Sequence, residues 1–201
     1  GEWARLIQLE RTPKLSLTVV PMKGWQRGMT YGDLGWPWVP PSPHIPHWES
    51  SYFYAMTGTL GELHVVSEGV GTPSPFERVG APWIDALSLA DRLNSLGLAG
   101  VLFRPTFFTP RYGPFEGKDC YGVQIHLVDP RRCNPAQVCR AILTTLSRMY
   151  PDRKLFTPGD STRYGMFLKA LGDHRLAKAL ATGDFEGIEN YLEDTLATYH
   201  S

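Results

Sequence analysis

Ser67-Glu68-Gly69-Val70-Gly71-Thr72 places a carboxylate and two hydroxyls beside two glycines within six residues. Glycines flanking a single position let the backbone turn tightly and approach a ligand closely. A carboxylate, a hydroxyl and free backbone N–H groups on such a turn suit recognition of a polar substrate. The run is not a phosphate loop, because no Gly-Lys-Ser/Thr follows. On spacing alone, a plain glycine turn with Glu68 hydrogen-bonded to nearby backbone is the expected reading.

Other chemistry-bearing residues are more dispersed. Gln124 and His126 fall two apart in an alternating stretch, so both side chains can point into one cleft. His44, His47, His64 and His126 lack HxxxH or HExxH spacing, and no metal site is expected. Trp36 and Trp38 bracket Pro37, and indole faces stack on sugar rings as readily as they fill cores; packing is the expected role of each tryptophan taken singly. Ile45 and its aromatic neighbours mark Pro40–Pro46 as a rigid wall rather than an exposed polyproline ligand. Cys120, Cys133 and Cys139 form no CxxC pair, and their odd number leaves at least one thiol free. No GxSxG elbow is present, so acyl transfer lacks support.

The elements that must position these groups are unevenly distributed. Trp3, Leu6, Ile7 and Leu9 suit the buried face of a short helix, and Ser16–Pro21 reads as a β-branched strand. Two such elements cannot cover their own apolar faces, so residues 1–22 read as the tail of an α/β unit whose remainder lies elsewhere. Residues 23–201 form the second domain. From Met22 to Pro82 prolines recur and aromatics are interleaved, which predicts a long, ordered, loop-rich surface with only short helices. Regular structure is expected again from Asp85, with Leu89, Ala90, Leu93 and Leu96 on a helix closed by Gly97. Strands follow at 101–108, interrupted by Pro105, and at 122–128, then a helix opened by Asn134-Pro135. Asp173 and Asp184 cap two final helices. The fold class is α+β: a small mixed sheet with packed helices and a long Pro/aromatic-rich loop region, preceded by a remnant of an α/β domain.

Composition narrows the functions. Twenty basic and twenty acidic residues cancel, which leaves no electrostatic footprint for nucleic acid and no basic run for a membrane surface. No apolar stretch reaches the roughly 18 residues that span a bilayer. The chain begins at Gly1 with no signal-peptide pattern, which fits a processed protein or a fragment.

These pieces resemble one family. Leu17-Thr18-Val19-Val20-Pro21-Met22-Lys23-Gly24-Trp25, with Arg27 and Met29, is similar to the "LTVxPMxGWxRxM" strand and turn of the NamZ (YbbC) exo-β-N-acetylmuramidases. Pro37-Trp38-Val39-Pro40-Pro41-Ser42-Pro43 resembles their "PWVxPSPNMP". Ser67–Thr72, Pro75-Phe76-Glu77 and Gly80–Asp85 resemble "SEGRGTxxPFExxGAPWID". Phe103-Arg104-Pro105, Phe107–Pro110 and Gly122–His126 are similar to "FRPxxFxP" and "GVQLHV", and the opening residues to "GELARL". The likeness runs in order over essentially the whole chain.

The resemblance implies the C-terminal half of a protein about twice as long, whose first half is a Rossmann-like domain. It implies exo-hydrolysis of a terminal β-linked N-acetylmuramic acid from peptidoglycan fragments or muropeptides, in a cleft between the halves. Periplasmic or extracellular placement is implied with it, and no cofactor. Glu68 becomes the cleft carboxylate, opposite an acidic group from the other half. Arg27, Trp38, Ser42, His44, Thr72, Gln124 and His126, which lie in the matched motifs, become the sugar-binding candidates. The isolated chain is expected to be inactive. Two departures stand out: Val70 replaces the arginine of "SEGRGT", and His44 the asparagine of "PSPNMP". An arginine can grip the lactyl carboxylate bidentately and a valine cannot. Either the sugar differs or another group, such as Arg27 or Arg104, supplies the charge. A non-catalytic carbohydrate-binding or scaffolding module is the alternative function.

Overall fold

The computed structural model describes residues 1–188, 190 and 191, which divide into two compact units, Gly1–Gly35 and Trp36–Ser201. The first unit holds helix α1 (Glu2–Arg11) and a short 3-10 turn at Tyr31–Leu34. Helix α1 forms as expected, but none of its residues is buried, and Trp3, Ile7 and Leu9 are exposed. Ser16–Pro21 forms no strand. Its β-branched residues favour a pleated conformation, but a strand exists only through a ladder partner, and no described residue pairs with it. Thr30 and Asp33 form a reciprocal capping box that closes the 3-10 turn.

In the second unit, side-chain caps decide where helices begin. Asp85 Oδ1 accepts from the N–H groups of Leu87 and Ser88 and opens α3 (Ala86–Ser95). Asn134 Oδ1 accepts from Gln137 N at 3.2 Å, and Pro135 fills the first position of α4 (Pro135–Met149). Asp160 and Asp173 do the same for α5 (Ser161–Leu171) and α6 (His174–Thr182). Gly97, Gly172 and Gly183 follow α3, α5 and α6 with φ of +62°, +71° and +76°, the left-handed geometry that ends a helix. The further helix expected after Asp184 falls in part on residue 189 and residues 192–201, outside the described residues.

The region thought to hold only short helices contains α2 (Ser50–Gly61), of 12 residues. Phe53, Met56, Thr57 and Leu60 repeat at helical spacing and are buried. No proline falls between Pro46 and Pro73, so nothing breaks it. Helix α5 was likewise not anticipated.

Three strands form one sheet: β1 (Arg78–Ala81), β2 (Val101–Phe108) and β3 (Cys120–Leu127), in the order β1-β3-β2. Both pairings are antiparallel, so the sheet is not mixed. Pro105 continues β2 opposite Val123, which an edge strand tolerates because one side of its ladder is free. Ser67 bridges to Gly80 on the outer edge of β1. Val79, Phe103, Val123 and Ile125 bury one face of the sheet in a core with Leu89 and Leu93 of α3, Ile142 and Leu146 of α4, and Met56 and Leu60 of α2. Leu96, one residue past α3, is exposed rather than inward. Trp36 is exposed too, whereas Trp83 packs edge-on against Tyr150. No helix among the described residues is long and apolar enough to cross a membrane.

Gly165 sits inside α5, and a Cβ there would meet nothing within 4 Å. Glycine in a helix interior costs about 0.5–1 kcal/mol against alanine. Gly165→Ala is therefore expected to raise the unfolding free energy by about that amount, read as a higher urea midpoint at unchanged m-value; a lower midpoint would refute it.

Candidate functional site

Strand alternation sends Arg78, Gln124 and Arg104 to the sheet face away from the helices, and the register sets them in one cross-strand row. Thr106, Phe108 and His126 share that face. The row is wired by hydrogen bonds: an Arg104 guanidinium N–H donates to Gln124 Oε1 at 2.6 Å, and Gln124 Nε2 donates to Glu77 Oε2 at 3.4 Å. Glu77 Oε1 lies 3.0 Å from His47 Nε2, and His47 Nδ1 lies 3.2 Å from Glu49 Oε2. His126 lines the shallow groove beside this chain together with His47, Glu49 and Glu77. Gln124 and His126 share a sheet face, as their spacing predicts, but of the two only His126 lines this groove.

The glycine loop stands at the other side of β1. Gly69 and Gly71 have φ of +85° and +86°, and Phe76 N donates to Glu68 O at 2.7 Å to close the loop. The close approach these glycines permit is to the protein's own backbone: a Cβ at Gly71 would lie 2.5 Å from Tyr112 O, and one at Gly69 2.7 Å from Ser74 O. Thr72 Oγ1 donates to Gly69 O at 2.7 Å and accepts from Ser74 N at 3.1 Å. Val70 packs against the core.

Glu68 is buried, 7 % exposed, and its carboxyl lies against Gly61 at the end of α2. Burial raises its pKa above the ordinary carboxyl value; its own backbone N–H partly offsets this, and nearby Glu62 adds to it. Its Oε2 is shut off from solvent with no hydrogen-bond partner. A carboxyl so placed holds a proton to higher pH than a surface glutamate, the property of a general acid.

The remaining candidates divide between the units. Trp38 Nε1 donates to Ile45 O at 3.0 Å, and Ser42 Oγ accepts from His44 N at 3.3 Å, so both brace the proline-rich wall. His44 stacks on Tyr112, with Nε2 2.9 Å from the phenol oxygen. Arg27 belongs to the first unit, where it pairs with Glu2. No group of three or more His, Cys, Asp or Glu able to hold a metal occurs among the described residues. Cys120, Cys133 and Cys139 are free, and burial pushes each thiol up to about 11, which keeps it from acting as a thiolate.

Arg78, Glu77, His47 and Tyr112 were missed as site residues from sequence. Glu77 lay inside a quoted motif and His47 among the histidines weighed for metal, but nothing local reveals that Arg78 faces Gln124.

Residues 52–201 match the family model described as "Exo-beta-N-acetylmuramidase NamZ, C-terminal", and residues 1–49 match the corresponding N-terminal model. This chain belongs to the NamZ family. A Bacillus subtilis (strain 168) relative, "Peptidoglycan beta-N-acetylmuramidase NamZ", is 37% identical over 200 residues, covering 99% of this chain and 47% of the relative. The crystal structure of a DUF1343-family protein from Bacteroides fragilis NCTC 9343 superposes with a TM-score of 0.83 at 37% identity, over 94% of this chain and 50% of that one. The chain therefore spans about half the length of these NamZ-type relatives.

Proposed function

We propose that this chain is the C-terminal half of an exo-β-N-acetylmuramidase, lining the cleft that binds the terminal N-acetylmuramic acid of peptidoglycan fragments. Residues 1–22 are the tail of a Rossmann-like N-terminal domain in this reading, and residues 23–201 the substrate wall. The observation that carries it is Glu68: a buried carboxyl whose pKa burial raises, with an unpartnered oxygen, on a loop of a NamZ-family chain. Glycoside hydrolysis needs a protonated carboxyl on one side of the bond and a carboxylate or its equivalent on the other. Glu68 meets the first need, and the other group comes from the N-terminal domain. Gln124 and His126, with Thr72 and His44 nearer the glycine loop, supply hydrogen bonds to the sugar, and Trp38 and Ser42 hold the wall that bounds it.

The test is release of the aglycone from a chromogenic β-N-acetylmuramide by the protein at the full length of its relatives, beside the 201-residue chain. Turnover by the former and none by the latter is expected. Binding of muropeptides by calorimetry without turnover at full length would replace the hydrolase with a carbohydrate-binding module.

A further inference from the structure

Arg78 is held unusually firmly for a surface-strand arginine. Its guanidinium lies over the Phe108 ring, 5.5 Å from the centroid, and Phe108 can lie there because Gly80 has no side chain; a Cβ at Gly80 would come 2.7 Å from that ring. Arg78 Nε is buried with no hydrogen-bond partner, although a guanidinium N–H is an obligatory donor. Beside it opens a cavity of about 430 Å³, lined by Gly71, Thr72, Arg78, Thr109, Arg111 and Tyr112 among others. The lining holds two guanidinium groups and no carboxylate. Arg78 is balanced by Glu77 on one side and crowded by Arg104 on the other, and an anion in this cavity would meet Arg78 and Arg111 from its walls. Thr72, in its lining, comes from the same loop as Glu68.

The other arginines fit less well. Arg104 already donates to Gln124, Arg27 is paired with Glu2 in the first unit, and Val70 offers no charge. We propose that Arg78 and Arg111 form a carboxylate subsite that takes the lactyl carboxylate of the terminal sugar, Arg78 giving the fixed guanidinium and Arg111 the exposed one. The charge that valine removes from the glycine loop is in this way restored from β1 and from the segment after β2. The proposal rests on the reading that the substrate is a terminal N-acetylmuramic acid.

Full-length protein would be assayed on a β-N-acetylmuramide and on the β-N-acetylglucosaminide with the same leaving group, which differ only in the lactyl ether. Arg78→Gln is expected to lower the ratio of kcat/KM for the two sugars by about tenfold or more, mainly through the KM of the muramide. Arg78→Lys should recover part of that ratio, since it keeps the charge but loses the fork. Arg111→Gln should shift the ratio in the same direction by about threefold to tenfold; its side chain is exposed, so this variant reports even if Arg78→Gln does not fold. Equal losses on both sugars, or an unmoved ratio in the Arg111 variant, would overturn the subsite. Calorimetry with free N-acetylmuramic acid and N-acetylglucosamine separates the two ideas. Arg78- and Arg111-dependent binding of the former in a protein that hydrolyses neither substrate would retain the subsite and remove the hydrolase. Hydrolysis of the muramide with selectivity indifferent to both arginines would do the reverse.

Discussion

Glu68→Gln in the full-length protein is expected to lower kcat on a β-N-acetylmuramide by about 10²- to 10⁴-fold while making the folded state more stable at neutral pH. The two effects have one cause. Glutamine matches the neutral carboxyl in shape, so it fits against Gly61 as Glu68 does, but it has no proton to give. The sign of the stability change follows from the raised pKa. Above the ordinary value of 4.5 the unfolded chain releases the Glu68 proton, while the folded chain, in which burial opposes the charge, still holds it. The unfolded state then binds fewer protons, so this residue's contribution to stability falls as pH rises from that value through the folded one. Glutamine removes the slope. Urea unfolding at several pH values should therefore show the variant gaining on the wild type as pH rises, with no ionisation-linked difference below the ordinary carboxyl range. Near wild-type kcat would take Glu68 off the catalytic list, and parallel stability profiles would show that its carboxyl ionises in the folded state as it does in the unfolded one.

Parts of this architecture could be read directly from the chain because the deciding interactions are local. Asp85, Asn134 and Asp173 cap helices whose first N–H groups are two or three residues away, and Gly97 and Gly183 end helices by their own left-handed geometry. Helix α2 carried an equally local signal in Phe53, Met56 and Leu60, but the prolines on either side drew the reading toward loops. Ser16–Pro21 failed for the opposite reason: β propensity states a preference for extended backbone and says nothing about a partner. The site divides along the same line. Glu68, Thr72, Gln124 and His126 sit in short motifs and could be nominated in advance. Arg78 gains its meaning only from the register that sets it beside Gln124 and from a glycine two residues on that lets Phe108 lie beneath it, relations that span up to 46 positions of sequence.

That dependence on register makes Gly122 the position where a single methyl group should do the most structural damage. Gly122 faces Gly80 across the β1–β3 ladder, and a Cβ would come 1.9 Å from Val79 O and 2.7 Å from Gly80 Cα. Both obstacles are backbone of a paired strand, so no rotamer change relieves them. Either β1 moves off β3 or the ladder opens. Gly122→Ala is expected to cost about 3 kcal/mol or more, at the upper end of overpacking losses and a large share of a domain's typical stability. The same chemical change at Gly165 is expected to stabilise, which makes the pair a controlled comparison of one methyl group in two surroundings. Urea denaturation of both variants tests it, and a Gly122→Ala protein within about 0.5 kcal/mol of the wild type would show that the strands can separate without loss. Activity should fall with stability at Gly122, because Arg78 rides on β1 and Glu77 immediately precedes it: Glu77 O accepts from Ile125 N at 2.7 Å, and Arg78 holds its place in the row opposite Gln124. A displaced β1 would carry the wired carboxylate and the cavity guanidinium away together, so muramide selectivity should be lost in whatever fraction of the variant still folds.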